Sequence, residues 1–135
     1  MASDSARSNL DYPSYDTVTL FWTKAQEEYE KEDIISQKDG CEKAYRSATE
    51  AIDLLLAHNG YYVPVGKPEA HIVREEYLME LLETNGEVKE LIKQYSTFKN
   101  ILHGICFYTR SDPKKYNKIF YLVKEFNESI GKMIG

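Results

Sequence analysis

Cysteine is scarce in this chain: Cys41 and Cys106 are the only two in 135 residues, and neither belongs to a CxxC or CxxH spacing. Zinc therefore has no thiol ligand set to bind. Long apolar runs are missing too, since none approaches the ~18 to 20 residues needed to span a bilayer. The opening residues, MASDSARSNLDYPSYD, contain no apolar leader segment. A cytoplasmic, reducing setting is the resulting expectation, with two buried thiols and no disulfide. Positive charge is in deficit: 17 Lys+Arg against 22 Asp+Glu give a net charge of -5 and a pI near 5.2. No global attraction to phosphate backbones or anionic membranes follows, so nucleic acid is not an expected partner. The signatures GxSxG, the P-loop lysine, GxGxxG and HExxH are all absent.

What is present is a globular balance, 42% hydrophobic and 29% charged, in a length suited to one domain with its own core. The first 13 residues carry no apolar periodicity and read as a mobile arm, leaving 14–135 as the folded domain. Helix-type periodicity then predicts five helices. The first runs from Ser14 to about Asp33 with Val18, Phe21, Trp22, Ala25 and Tyr29 inward, and Lys38, Asp39 and Gly40 supply the turn after it. The second, CEKAYRSATEAIDLLLAHNG, puts Ala44, Tyr45, Ala48, Ala51, Ile52, Leu55 and Leu56 on one face. Arg46, Glu50 and Asp53 fall opposite, and Gly60 is the stop. The three alanines allow a neighbouring backbone to come close.

After the connection GYYVPVGK, a third helix is expected from Pro68 to about Glu83, with Tyr77, Leu78, Leu81 and Leu82 inward and Arg74 on the same stripe. An arginine there needs a carboxylate partner, a route to solvent or a ligand anion. The fourth, about Glu87 to Tyr108, buries Val88, Leu91, Tyr95, Phe98, Leu102, Ile105 and Cys106. Asp112 and Pro113 then signal the start of a fifth, to about Met133, burying Tyr116, Ile119, Phe120, Val123, Phe126 and Ile130. The expected architecture is all-α: an antiparallel up-and-down helical bundle of four to five helices.

Few polar residues qualify as a site. His71 and Glu75 stand at i and i+4, but no second such pair exists for a di-metal bundle, so neither a metal nor a cofactor is expected. His58 closes the second helix as a dipole partner. Lys99, His103 and Arg110 lie along one margin of the fourth helix and, with Arg74, form the candidate set for a phosphate or carboxylate. The plainer account of His103 is a hydrogen-bonded histidine at the core rim. Charge is also uneven along the chain: residues 1–60 hold 6 Lys+Arg against 12 Asp+Glu, and residues 87–135 hold 9 against 5. A solvated lysine face accounts for this, with head-to-tail association as the sharper reading. The fifth helix spreads Phe120, Tyr121 and Leu122 over more than one face, which marks a candidate interface with another subunit or protein.

The Ala-rich inner face of the second helix ending in Leu-Leu and Gly, with Leu102-His103 leading to Phe107-Tyr108, resembles the central helices of HEPN-like bundles, including the small PaREP-type proteins. The resemblance implies a bundle that pairs with itself as a dimer. It also implies family roles in nucleotide binding, partnership with nucleotidyltransferases and RNA cleavage. Cleavage in that family needs an Arg followed four to six residues later by a His on one helix. Here Arg7, Arg46, Arg74 and Arg110 find no such partner among His58, His71 and His103. The expected function is thus a non-catalytic, self-associating interaction module that binds a protein partner or nucleotide. The alternative is an RNA-directed enzyme with displaced catalytic residues around His103 and Arg110.

Overall fold

The computed structural model describes residues 12–135. Among them every regular element is helical: α1 (Tyr15–Tyr29), α2 (Ile34–His58), α3 (Ala70–Thr84), α4 (Lys89–Phe98) and α5 (Asn117–Ile134). A 3-10 turn, Gly86–Val88, leads into α4, which continues as a π-helical segment, Lys99–Phe107; a second 3-10 turn, Pro113–Tyr116, leads into α5. Residues 1–11 of the expected arm lie outside the described residues. Tyr12 and Pro13 are half-buried and line a small cavity with Asp53, Ala57, Tyr62, Val63 and Val65, so the 60–67 connection folds back over the end of α2. No helix among the described residues is long and apolar enough to cross a membrane.

Side chains set the boundaries. Ser14 caps α1 by accepting from the Thr17 N–H, and Asp33 caps α2 by accepting from the Ser36 N–H. Asp112 accepts from the Lys114 N–H ahead of Pro113, as the sequence predicts, although the first turn it opens is 3-10. Pro68 lies in the turn before α3, which begins at Ala70. Gly60 and Gly66, at φ +90° and +85°, supply the left-handed turns of the connection between α2 and α3.

The first break in the chain is not where the sequence suggests. α1 ends at Tyr29 rather than near Asp33, and α2 runs uninterrupted through Lys38, Asp39 and Gly40. Gly40 is there for its missing side chain, not its flexibility. A Cβ at this position would stand 2.7 Å from the Tyr29 N, 2.8 Å from the Tyr29 Cβ and 2.9 Å from the Ala25 O. The α1 backbone lies directly on it, and Ala44, Ala48 and Ala51, all fully buried, extend the close approach along α2.

α2 is the central helix, packing against α1, α5, α4 and the π-helical segment. Large rings fill the space beside its small residues: Tyr29 stacks on Phe120 at 3.9 Å between centroids, and Phe98 meets Phe126 edge-on at 5.1 Å. Phe120 is therefore core, fully buried, and is withdrawn from the candidate interface; Tyr121 and Leu122 remain 37% and 38% exposed. The two cysteines also depart from expectation. Cys41 and Cys106 are joined in a disulfide, both fully buried, tying α2 to the π-helical segment across 65 residues of sequence. From Phe98 at the end of α4 the buried positions step by four into that segment, to Leu102 and then Cys106, which brings Cys106 onto Cys41.

Candidate functional site

The polar candidates gather where α2, α3 and α4 meet. On α2, Glu42, Tyr45, Thr49 and Asp53 are spaced by three and four residues, which lines them along one face. On the other side of this seam stand Tyr95, Lys99 and His103 of α4 and its π-helical extension, with Arg74 and Glu75 of α3. Sequence periodicity put Lys99 and His103 on one margin with Arg110; it is the packing of α3 that brings Arg74 to the same seam. Periodicity did not show that Lys99, His103 and Arg74 each already have a carboxylate partner.

Arg74 donates to Asp53 through both Nε, at 2.6 Å, and Nη2, at 2.9 Å, and the pair is nearly sealed from water. This fork geometry is the strongest form of an arginine–carboxylate contact. Asp53, expected on the outer face of its helix, is 3% exposed. Burial raises its carboxyl above the ordinary value, and Arg74's hydrogen bonds and charge offset that only in part. For Arg74, burial pulls downward, yet the hydrogen bonds and charge of Asp53 outweigh it and hold the guanidinium firmly protonated.

His103 Nδ1 lies 2.6 Å from Glu42 Oε1, and its ring stacks on Tyr45 at 4.9 Å. A carboxylate only accepts, so Nδ1 carries a proton. Glu42 also reaches Arg46, at 3.8 Å, and Lys99 donates to Glu75 at 2.9 Å. Arg110 lies beyond the end of the helical segment and is exposed. Glu75 is committed to Lys99 across the helix pair, while His71 is exposed. Among the described residues no group of three or more His, Cys, Asp or Glu is placed to hold a metal ion.

Between the two ion pairs runs a chain of hydroxyls. Thr49 Oγ1 donates to the Tyr45 carbonyl at 3.0 Å, which uses its only proton. Tyr95 must then donate to Thr49 Oγ1, at 2.9 Å, and Tyr45 to the Tyr95 oxygen, at 3.2 Å. Burial pushes the Tyr95 phenol well above its usual range, so it stays a donor at any working pH. Every proton in this chain has an acceptor, and no hydroxyl is left beside a free base as a nucleophile.

Sequence reasoning missed Glu42, Tyr45, Thr49, Asp53 and Tyr95 as a connected set. One signal was available for Asp53: it is the only charge within AIDLLLA, where no helix face is free of apolar neighbours. No protein-family model, curated protein or solved structure matches the chain.

Proposed function

We propose that the chain is a non-catalytic interaction module: a HEPN-like, antiparallel up-and-down bundle that associates with itself and binds a protein partner. One observation carries this reading. Arg74, Lys99 and His103, the groups that would receive a phosphate or act in RNA cleavage, are each held by an internal carboxylate within 2.9 Å. At Arg74 a ligand anion would have to displace Asp53 and leave a buried carboxylate unpaired, and at Lys99 and His103 it would have to compete with the charge of Glu75 and Glu42. The seam is built to join three helices. A partner of the nucleotidyltransferase type fits the family resemblance better than a free nucleotide does.

The cytoplasmic setting expected from the sequence now carries a condition. Disulfides persist where thiols oxidise and are rare in the reducing cytosol, so the Cys41–Cys106 bond must be kept by its burial. Two measurements test the functional reading. Incubation with structured and single-stranded RNA should give no cleavage above that of a His103→Ala variant, and isothermal titration with nucleoside triphosphates should give no heat. Cleavage that disappears in His103→Ala overturns the reading in favour of the displaced-residue enzyme.

A further inference from the structure

The outer face of α5 carries a pattern that the seam does not explain. Asn117, Lys118, Tyr121, Leu122 and Glu125 line one shallow, open depression. Lys118 lies three residues before Tyr121, and Glu125 lies three residues after Leu122; farther out, Lys115 lies six before Tyr121 and Glu128 six after Leu122. All six residues are exposed. Lys118 and Glu125 therefore stand at equal distances on opposite sides of the midpoint between Tyr121 and Leu122 with opposite charge, while beyond that midpoint α5 as a whole is balanced, Lys124 and Lys132 against Glu125 and Glu128. Among the described residues neither Lys118 nor Glu125 has an ion-pair partner within the chain.

We propose that a second copy of this chain docks on this face, antiparallel, with a two-fold axis crossing α5 between Tyr121 and Leu122. The proposal rests on the self-association reading above and names its surface. An axis at that midpoint, perpendicular to the helix, sets Lys118 against Glu125 of the second copy and Glu125 against its Lys118. Tyr121 meets its own copy on one side of the axis, and Leu122 meets its own copy on the other. A parallel arrangement would instead set Lys118 on Lys118 and Glu125 on Glu125, so the charges select the antiparallel one.

Tyr121 is prepared for this contact. Its ring is held edge-on by Trp22, Tyr29 and Phe120, with centroids 6.2, 6.1 and 5.0 Å away, and its hydroxyl donates to Glu30 at 3.0 Å. A ring already fixed in one orientation loses little conformational freedom on docking. The contact is a single crossing of helices, and it belongs to the weak, concentration-dependent class of interface.

Sedimentation velocity over a concentration series tests the arrangement. Lys118→Glu and Glu125→Lys should each weaken self-association about tenfold or more, because each turns two attractive contacts per dimer into repulsive ones. The double variant K118E/E125K restores attraction with the signs exchanged and should recover most of the loss. Leu122→Cys should form an intermolecular disulfide in air. A wild-type chain that stays monomeric at every concentration overturns both this proposal and the self-association reading. A dimer indifferent to the single reversals, or a double variant as weak as the singles, overturns this interface alone. Both charge positions are solvent-exposed, so each variant should fold, which helical circular dichroism will check.

Discussion

Replacing Gly40 by alanine asks whether α2 truly runs through the position that the sequence marks as a turn. In a flexible turn the change would be nearly neutral. In a helix interior alone it would stabilise, since alanine is better than glycine by about 1 kcal/mol. The structure opposes both outcomes. The added methyl would sit 2.7 to 2.9 Å from two backbone atoms and one Cβ of α1. Comfortable contact between such atoms needs roughly 3.4 to 3.5 Å, so α1 must retreat by about 0.6 to 0.7 Å. Backbone cannot swing aside as a side-chain tip can. The retreat loosens Ala25 and Tyr29, both fully buried, from the centre of the core. Overpacking of this kind costs about 1 to 3 kcal/mol, and more where backbone is the obstacle. Because the obstacle here is backbone, the upper part of that range, about 2 to 3 kcal/mol, applies, and after the helix-propensity gain of about 1 kcal/mol a net destabilisation of about 1 to 2 kcal/mol is expected. Urea unfolding followed by circular dichroism reads this as a lower midpoint at unchanged slope. Gly86→Ala is the control: its Cβ meets nothing within 4 Å, and its effect should stay within about 0.5 kcal/mol. A Gly40→Ala protein as stable as the parent, or more so, would refute the close approach of α1 to α2.

Breaking the ion pair with Arg74→Met strands the Asp53 carboxylate in the core and should cost about 3 to 5 kcal/mol; adding Asp53→Leu should recover a large part, and a neutral Arg74→Met would show the pair to be solvated. Removing the cross-link with Cys41→Ser and Cys106→Ser frees a loop of 65 residues in the unfolded chain and should lower stability by about 4 kcal/mol on the chain-entropy account, a difference that vanishes when the parent is reduced. Burial raises the Glu50 carboxyl above its ordinary value, against the Ser14 N–H that it accepts. Its stabilising contribution is therefore complete below the unfolded pKa and is lost as the pH rises through the folded one. Glu50→Gln keeps an acceptor for Ser14 and should flatten this fall, which urea midpoints measured from pH 4 to 7 will show; an unchanged slope counts against a buried carboxylate.

How far the sequence could be read depended on the kind of residue. Apolar periodicity located α2, α4 and α5, because burial on one face imposes a period that survives in the letters alone. Asp112-Pro113 gave the entry to α5 because a cap is a local device. Gly40 misled, since glycine serves equally for a turn and for a close contact, and only the presence of α1 decides between them. Asp53 misled in the same way, and Phe120, expected both in the core and at an interface, belongs to the core alone. Each faces inward because a helix distant in sequence covers it: α3 brings Arg74 to Asp53, and α1 brings Tyr29 to Phe120.

The candidate site divides along the same line. That Lys99 and His103 share one margin followed from spacing; that Arg74 joins them from α3, and that each is matched by a carboxylate from another helix, did not. Nor did the Cys41–Cys106 bond, which needs two positions 65 residues apart to meet at a Cα separation of 6.2 Å. By itself the sequence determined the helical class, the inner faces and the absence of the familiar catalytic motifs, because these depend on residues near one another in the chain. The tertiary structure alone decided which charges are neutralised, which glycine is clasped and which aromatics stay outside, because those are properties of pairs that only packing brings together.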